Sequence, residues 1–378
     1  MPLHRTKFLY ALIALIGVAL SLSRSDLTTD QSRTHAQSED SVRFAVIGDF
    51  GTGGEEAEAV ANLVKSWSPD FIITTGDNNY PEGSAETIDE HIGQFYHEYI
   101  YPYAGDYGDG ADENRFFPVL GNHDYDTDNA QPYFDYFTLP GNERYYDFTW
   151  GPVHFFALNT NDDEPDGNTQ DSVQAQWLET QLAGSDSHWN IVYLTDPVYS
   201  SGAKHGSDRD VQWPFAAWGA TAAFSGDDHF YERIMDGSFP YFVNGAGGAR
   251  LYAFDDPVKG SALRYNRTNG AMLVEATSDT ITFEFYSILN GGTLIDAYTL
   301  NEQTVTEIQA MVQQRAAQLV FTPEADTYVE QTEPTDNYGS SDELRADGND
   351  TAGMESYLRF NVTGLNGPIK DATLRLYS

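Results

Sequence analysis

Hydrophobic residues in roughly the first two thirds of the chain alternate between short strand-like runs and stretches with helical spacing. Val42–Ile47 is a continuous apolar run of strand length, and Glu55–Ser66 places its apolar residues on one side of a helix. Further strands are predicted at residues 71–75, 117–120, 153–158, 191–194 and 221–224, and further helices at 87–99 and 172–183. This alternation predicts an α/β fold built in layers.

The pattern changes after residue 231, where only short strands are predicted. These strands lie at residues 241–244, 271–275, 281–286 and 294–300. Strand–helix units followed by a run of strands are typical of a sandwich with mixed sheets. The predicted fold class is therefore an α/β sandwich.

The C-terminal part of the chain has a different pattern. Residues 301–318 are rich in Gln and Ala with helical spacing, which indicates a connector. Strand runs at 325–329, 356–360 and 372–377, separated by turns with Gly and Asn, predict a β-sandwich. Because the sequence stops just after the last run, we expect only the front part of such a sandwich, with unpaired strand edges.

The N-terminus has the pattern of a secretory signal. His4, Arg5 and Lys7 precede an apolar run at residues 8–22, which is short for a membrane-spanning helix. Small residues follow, and a polar linker is expected up to about residue 39. We expect a secreted or periplasmic protein, and a retained membrane anchor is the alternative.

Charge and composition narrow the function classes. The chain of 378 residues has 58 Asp and Glu against 20 Lys and Arg, a net charge of −38. A protein that binds nucleic acid by neutralising phosphates needs a basic face, so that class is excluded, and docking on anionic lipid is disfavoured. The absence of Cys excludes disulfides, thiolate metal sites and a Cys nucleophile.

Candidate chemistry lies where the predicted strands end. Asp49, Asp77 and Asn122 each follow a buried strand and a Gly, and His229 follows another strand. The carboxyl ends of strands in α/β sheets converge on one crevice, so these side chains should meet. A single Asp at such a position is usually a turn residue or helix cap. Four strand ends with polar ligands predict a metal site.

The segments GDFG, GDNNY, GNHD and SGDDHFYERI, in this order and spacing, resemble the motifs of the metallophosphoesterase superfamily. They are most similar to its purple acid phosphatase branch, since a Tyr stands three residues after Asp77 and the last segment contains Tyr-Glu-Arg at residues 231–233. The resemblance covers about residues 41–300. It implies a four-layer α/β/β/α sandwich and hydrolysis of phosphate esters at a centre of two metal ions.

The resemblance also implies roles for individual residues. Asp49, Asp77, Tyr80 and His229 match the ligands of the first metal, which in the family is ferric iron, and Asp77 bridges to the second metal. Asn122 matches a ligand of the second metal. The histidines that contact substrate in the family are matched by His123 and His205, and we expect these two to be catalytic.

The sequence departs from the family at the second metal. The family has His where this chain has Thr195, and His where it has Asp227. The expected second-site ligands are then Asp77, Asn122 and Asp227, with Thr195 or Asp196 as possible oxygen ligands. Such a set favours manganese, magnesium or calcium over zinc, and the alternative is a vacant second site.

The strand runs after residue 321 look like the front part of DNRLRE-type, disaggregatase-related carbohydrate-binding modules. The chain is thus expected to comprise a signal peptide and linker (1–39), a metallophosphoesterase domain (40–302), a helical connector (303–320) and a partial module (321–378). The expected function is a secreted phosphoesterase tethered to polysaccharide or a cell-surface glycan. The alternative is a non-catalytic or one-metal relative that acts as a binding protein.

Overall fold

The computed structural model describes residues 41–316, 323–330 and 354–360 of the chain. The predicted signal peptide, the linker, and the predicted strand at 372–377 lie outside the described residues. Within the described part, two sheets form the framework.

The first sheet joins three parallel strands to an antiparallel meander. Its spatial order is β13 (Thr293–Asn301), β12 (Thr280–Ser287), β11 (Gly270–Ala276), β1 (Val42–Ile47), β2 (Phe71–Thr74) and β3 (Phe116–Phe117). The pairs β1–β2 and β2–β3 are parallel, whereas β1–β11 and the pairs beyond it are antiparallel. The carboxyl ends of β1, β2 and β3 therefore lie at one edge of the sheet.

The second sheet is also mixed. Its spatial order is β10 (Ser261–Tyr265), β8 (Tyr231–Asp236), β9 (Phe239–Asn244), β7 (Ala222–Ser225), β6 (Trp189–Tyr193), β5 (Val153–Ala157) and β4 (Tyr146–Trp150). The central strands β5, β6, β7 and β9 are parallel. This confirms the predicted α/β class with mixed sheets.

Aromatic side chains fill the space between the two sheets. Phe44 of β1 stacks on Phe71 of β2 at 5.2 Å between ring centroids, and meets Phe155 of β5 edge-on at 4.9 Å. Farther along the interface, Phe224 of β7 lies 5.8 Å from Phe283 of β12. All of these rings are fully buried. Burial of rings of this size holds the two sheets face to face.

Helices cover the outer faces. Helix α1 (Glu55–Ser66) buries Val60 and Val64 and contacts β11. The remaining α-helices are α2 (Gln94–Tyr96), α3 (Asn122–Tyr125), α4 (Gln131–Tyr136), α5 (Val173–Ala183), α6 (Phe215–Trp218) and α7 (Glu302–Ala316). Helix α5 begins after Ser172, whose hydroxyl accepts a hydrogen bond from the backbone N–H of Ala175 and caps the helix. In the part of the chain that is described, no helix has the length and apolarity needed to span a bilayer.

Several boundaries differ from those predicted. The predicted helix at 87–99 is a series of short turns: a π-helix at Asp89–Gly93, then α2, then a 3-10 turn at His97–Tyr99. The predicted strand at 117–120 is shorter, because Pro118 has no N–H to continue the ladder. Strands β4, β8 and β10 were not predicted.

Helix α7 corresponds to the predicted connector. Its Ile308 is buried, and Ser238 donates a hydrogen bond to Glu307. The helix also contacts β13 and α6, so it packs on the framework of the two sheets. Beyond it, β14 (Pro323–Glu330) and β15 (Met354–Phe360) form an antiparallel pair with Thr327 opposite Tyr357.

Candidate metal centre

The candidate centre lies at the carboxyl ends of β1, β2, β3 and β7. Asp49 follows β1, Asp77 follows β2, and Asp227 follows β7, each with a positive φ of 55°, 51° and 62° respectively. A non-glycine residue in this left-handed region costs about 1 kcal/mol or more, and such strain is concentrated at functional sites. The aspartates themselves therefore make the sharp turns at the ends of these strands.

A glycine beside the centre permits close packing. A Cβ at Gly121 would lie 2.2 Å from Asp77 Oδ1, which is closer than any real contact. The residue before Asn122 must therefore be Gly121, which has no side chain where the backbone passes the Asp77 carboxylate.

Four side chains of the predicted first site converge on one point. The Tyr80 hydroxyl lies 2.9 Å from Asp77 Oδ2, 3.2 Å from Asp49 Oδ1 and 3.0 Å from His229 Nε2. His229 Nε2 is itself 3.2 Å from Asp49 Oδ1. Asp49, Asp77 and His229 offer ligand atoms that all lie within 4.8 Å of one another. Two carboxylates, a phenol and an imidazole in this arrangement suit one hard or borderline cation.

Burial makes this arrangement costly without a cation. Burial raises the pKa of Asp49 well above its usual value, and the nearby Asp77 carboxylate raises it further. Burial also raises the pKa of Asp77. The pKa of the Tyr80 phenol is raised by burial and by both carboxylates. A bound cation would neutralise these charges and favour the ionised forms.

His229 is held in the tautomer that a metal ligand needs. Its Nδ1 lies 2.9 Å from the carbonyl oxygen of Arg250, so Nδ1 carries the proton and donates it to that carbonyl. The lone pair is then on Nε2, which faces Tyr80 and Asp49. Burial lowers the pKa of His229, which keeps the ring neutral. The Tyr252 ring stacks on His229 at 3.9 Å and fixes its plane.

The two oxygens of Asp77 face different partners. Oδ2 accepts a hydrogen bond from Tyr80 on the first-site side. Oδ1 accepts one from the backbone N–H of His123 at 3.1 Å, on the side where the loop after β3 carries Asn122. Asn122, the residue before His123, is exposed. One carboxylate thus reaches both sides of the candidate centre.

The second-site side is rich in carboxylates. Asp227 is 7% exposed, and burial together with the Asp49, Asp196 and Asp77 carboxylates raises its pKa to about 9. Burial raises the pKa of Asp196 to about 6. The Thr195 hydroxyl donates a hydrogen bond to the Leu120 carbonyl at 2.6 Å, so its proton has a partner within the framework. The structure therefore brings Asp227, Asp196 and Asp77 into one electrostatic cluster.

The two predicted substrate-side histidines flank the centre. His123 Nδ1 lies 2.5 Å from the Pro81 carbonyl oxygen, and its ring lies 4.5 Å from that of Tyr80. His205 Nδ1 lies 3.2 Å from Asp227 Oδ2. Burial lowers the pKa of His205, and the charge of Lys204 lowers it further. In each ring a partner holds Nδ1, which leaves Nε2 for another group.

Buried carboxylates that the sequence analysis did not single out hold the site loops. Asp124 accepts hydrogen bonds from the backbone N–H groups of Asn78 and Gly121, and so links the loops after β2 and β3. Asp228 accepts from the Ser200 hydroxyl at 2.5 Å and from the Gly206 N–H at 3.0 Å. Both lie inside quoted motifs and are as buried as Asp49 and Asp77, so their hydrogen-bond partners distinguish a scaffold role from a ligand role.

Glu232 has a similar scaffold role. It is fully buried and accepts hydrogen bonds from both the backbone N–H and the hydroxyl of Ser201, at 2.8 and 2.6 Å. Together with Asp228 it anchors the loop that carries His205.

Two family models match parts of the chain. The family described as Calcineurin-like phosphoesterase matches residues 42–231, and Carbohydrate-binding module family 96 matches residues 317–378. Tartrate-resistant acid phosphatase type 5 of Rattus norvegicus is 27% identical over 246 residues, which cover 54% of this chain and 72% of that protein.

Among solved structures, a purple acid phosphatase from yellow lupin (Lupinus luteus) seeds superposes with a TM-score of 0.57 at 17% identity, over 70% of this chain. The chain spans 55% of the lupin chain. GAP50, described as the anchor in the inner membrane complex of Plasmodium, superposes with a TM-score of 0.55 at 20% identity, over 74% of this chain and 95% of that one. At these identities the two structures show the shared fold.

Proposed function

The chain belongs to the calcineurin-like phosphoesterase family, and we propose that it is a secreted phosphoric ester hydrolase with a centre of two metal ions whose second site uses oxygen ligands. One observation carries the proposal. The Asp49, Asp77, Tyr80 and His229 ligand atoms meet at hydrogen-bond distances while burial opposes charge on the acidic groups. A cation of high charge fits this donor set, and the phenol favours ferric iron.

Asp77 would be shared by the two ions, because each of its oxygens faces one side of the centre. Asn122, Asp227 and Asp196 would complete the second site. When bound, the ions supply positive charge for the phosphoryl oxygens and the acidity that ionises water near neutral pH.

The two substrate-side histidines would transfer the proton to the leaving group and position the phosphate. With its Nδ1 proton donated to the Pro81 carbonyl, His123 presents Nε2 to the substrate side. His205 is oriented in the same way through Asp227. An imidazole suits proton transfer to a leaving alkoxide, because its pKa lies near the working pH. Bond cleavage here depends mainly on positioning and on neutralisation of the phosphate charge.

The second site is proposed to prefer manganese, magnesium or calcium. Asp77, Asp196 and Asp227 supply oxygen ligands, and no imidazole replaces the two family histidines at Thr195 and Asp227. Burial, together with the Asp49, Asp196 and Asp77 carboxylates, raises the pKa of Asp227 to about 9, and a bound cation would offset that negative charge. Carboxylate oxygens favour hard cations, whereas zinc gains most from nitrogen and sulfur ligands.

A second candidate is a one-metal or non-catalytic relative that acts as a binding protein. The observation that favours it is that both altered positions already have partners. Thr195 donates to Leu120, and Asp227 pairs with His205. A site satisfied in this way does not require a second ion.

The secreted location and the polysaccharide partner are part of the proposal. The basic residues and apolar run at 4–22 support export. The match to carbohydrate-binding module family 96 supports a polysaccharide or cell-surface glycan as the partner that tethers the enzyme.

The test combines metal analysis with hydrolysis of p-nitrophenyl phosphate. Chelator-treated wild-type protein should regain activity with ferric iron plus manganese, magnesium or calcium, and less with zinc. The variant Thr195→His/Asp227→His should instead favour zinc or iron in its second site. Asp186→His, an exposed residue just before the amino end of β6 and so at the other edge of the sheet from the centre, is the matched control for the added imidazole.

The outcomes separate the two candidates. In one outcome, the wild type binds one metal and hydrolyses nothing while the double His variant is active. That result would show that the second site of the wild type is vacant and does not hold a hard cation. No hydrolysis in either form would favour the binding protein.

A further inference from the structure

A histidine that the sequence analysis did not single out lies against the loops that carry the first-site ligands. His91 is half-buried and belongs to the π-helix at Asp89–Gly93. Short π-helical turns are rare, and they occur frequently at functional sites, because the wider turn changes the direction in which the side chains point. This turn places the His91 ring between the loop after β1 and the loop after β2.

On the side of β2, the ring holds the residue next to Tyr80. His91 Nδ1 lies 2.9 Å from Asn79 Oδ1, which also accepts a hydrogen bond from the Thr87 hydroxyl at 2.9 Å. The Asn79 amide nitrogen donates to the Ser84 carbonyl at 2.8 Å, so the amide oxygen is the atom that faces His91. An amide oxygen can only accept, and His91 Nδ1 therefore carries the proton. This bond fixes the backbone from which the Tyr80 phenol projects.

On the side of β1, the same ring packs against the loop that follows Asp49. A Cβ at Gly53, where φ is +66°, would lie 2.6 Å from His91 Cδ2, so the ring fills the space that a side chain would need. The two loops are joined here by the Tyr80 N–H, which donates to the Gly51 carbonyl at 2.8 Å. Burial lowers the pKa of His91, and its backbone hydrogen bonds with Gly51 and Tyr80 oppose that shift. One imidazole thus contacts both loops.

The backbone that carries His91 is itself anchored by Asp89. Oδ1 of Asp89 accepts hydrogen bonds from the hydroxyls of Tyr103 and Tyr136 at 2.7 and 2.8 Å. Oδ2 accepts a hydrogen bond from the backbone N–H of Asp106 at 2.8 Å. Hydrogen bonds to a carboxylate are stronger than those between neutral groups, so the π-helix has a firm attachment to the framework.

We propose that His91 is a positioning residue for the first metal site, which links the loops after β1 and β2 and so holds Asp49 and Tyr80 at the separation that a cation requires. The Tyr80 hydroxyl lies 3.2 Å from Asp49 Oδ1, and these two side chains come from the two loops that the His91 ring joins. The proposal rests on the metal centre proposed above and adds a residue outside the ligand set. Removal of a group that orients metal ligands typically costs about 10- to 100-fold in metal affinity.

The first test measures metal retention and the visible spectrum. Iron-loaded His91→Leu should release ferric iron to a chelator about tenfold faster than the wild type, and its phenolate-to-iron band should be weaker per bound iron. His91→Gln keeps an N–H donor for Asn79 and should restore most of both properties. His97→Leu is the matched control, because this half-buried histidine lies in the following 3-10 turn and its Nδ1 contacts the Asp109 carbonyl at 2.7 Å.

The second test needs neither metal nor activity. Hydrogen exchange read by mass spectrometry reports on the backbone amides of the loops after β1 and β2 (residues 49–54 and 76–83) in metal-free protein. His91→Leu should speed exchange in both loops about fivefold or more, whereas His91→Gln and His97→Leu should stay within about twofold of the wild type. If His91→Leu does not fold, His91→Phe, which keeps a ring and loses the donor, takes its place in both tests.

Together the tests separate a failure of the positioning role from a failure of the metal centre. Wild-type protein that binds no iron, with faster exchange in His91→Leu, overturns the proposed centre and supports the link between the loops. Unchanged exchange in His91→Leu, or an unchanged rate of iron release, overturns the positioning role whether or not p-nitrophenyl phosphate is hydrolysed. The same effects in His97→Leu, or no recovery in His91→Gln, would also overturn it.

Discussion

The substitution Asp227→Asn should stabilise the metal-free protein at neutral pH, although it removes a proposed ligand. Burial and the surrounding carboxylates raise the pKa of Asp227 from 3.8 to about 9. At pH 7 the unfolded chain carries this group ionised, whereas the metal-free folded protein must protonate it. Folding therefore costs free energy that an uncharged Asn does not require.

The sign and size of the difference in unfolding free energy follow from the pKa of Asp227 in the folded and unfolded states. Because the pKa of Asp227 is higher in the folded state, folding carries no cost from this group below pH 3.8, where it is protonated in both states. The cost then grows as the pH rises toward about 9. Over the 3.2 pH units from 3.8 to 7, the cost is about 4 kcal/mol at most. Asn has nearly the same shape and keeps an amide near His205, so few other contacts change. At pH 4 the variant and the wild type should differ by only about 0.6 kcal/mol.

Urea unfolding of chelator-treated protein at pH 4 and pH 7 measures this difference. Asp186→Asn, an exposed residue, is the control and should have no pH-dependent effect. Saturating manganese should reverse the order at pH 7, because the wild type gains binding energy that the variant lacks. A variant that is less stable than the wild type at pH 7 without metal would refute the raised pKa of Asp227 in the folded protein.

Three further predictions follow from the site and the framework. Tyr80→Phe should remove a visible phenolate-to-iron absorption band from iron-loaded protein, and a band that persists would exclude Tyr80 as the ligand. Asp228→Asn should lower stability by about 1–3 kcal/mol in urea unfolding and reduce kcat, because the Ser200 hydroxyl and the loop of His205 lose their charged acceptor; unchanged kinetics would contradict the scaffold role. Deletion of residues 317–378 should leave hydrolysis unchanged and abolish retention on insoluble polysaccharide, whereas a deletion from residue 303 should also destabilise the enzyme, since it removes buried Ile308.

Local patterns were sufficient for much of the framework. The bounds of β1 and α1 agree with those predicted, because a continuous apolar run and a one-sided helical pattern each have a single favourable structure. The placement of polar residues at strand ends was also readable, since parallel strands bring their carboxyl ends to one edge. By contrast, β10 at the rim of the second sheet has only partly buried residues and therefore little hydrophobic pattern.

The sequence by itself determined which ligand types stand at which strand ends, because residue identity and strand length are local properties. The tertiary structure decided what those residues contact. The Tyr80 hydroxyl meets His229 only after the two sheets pack together. The same packing lets the Thr195 hydroxyl donate to the Leu120 carbonyl, although Thr195 is a possible ligand in sequence. Asp228, which the sequence analysis did not single out, is a loop anchor. Hydrogen-bond partners and burial depend on residues far apart in the chain, so only the folded structure distinguishes a ligand from a scaffold residue.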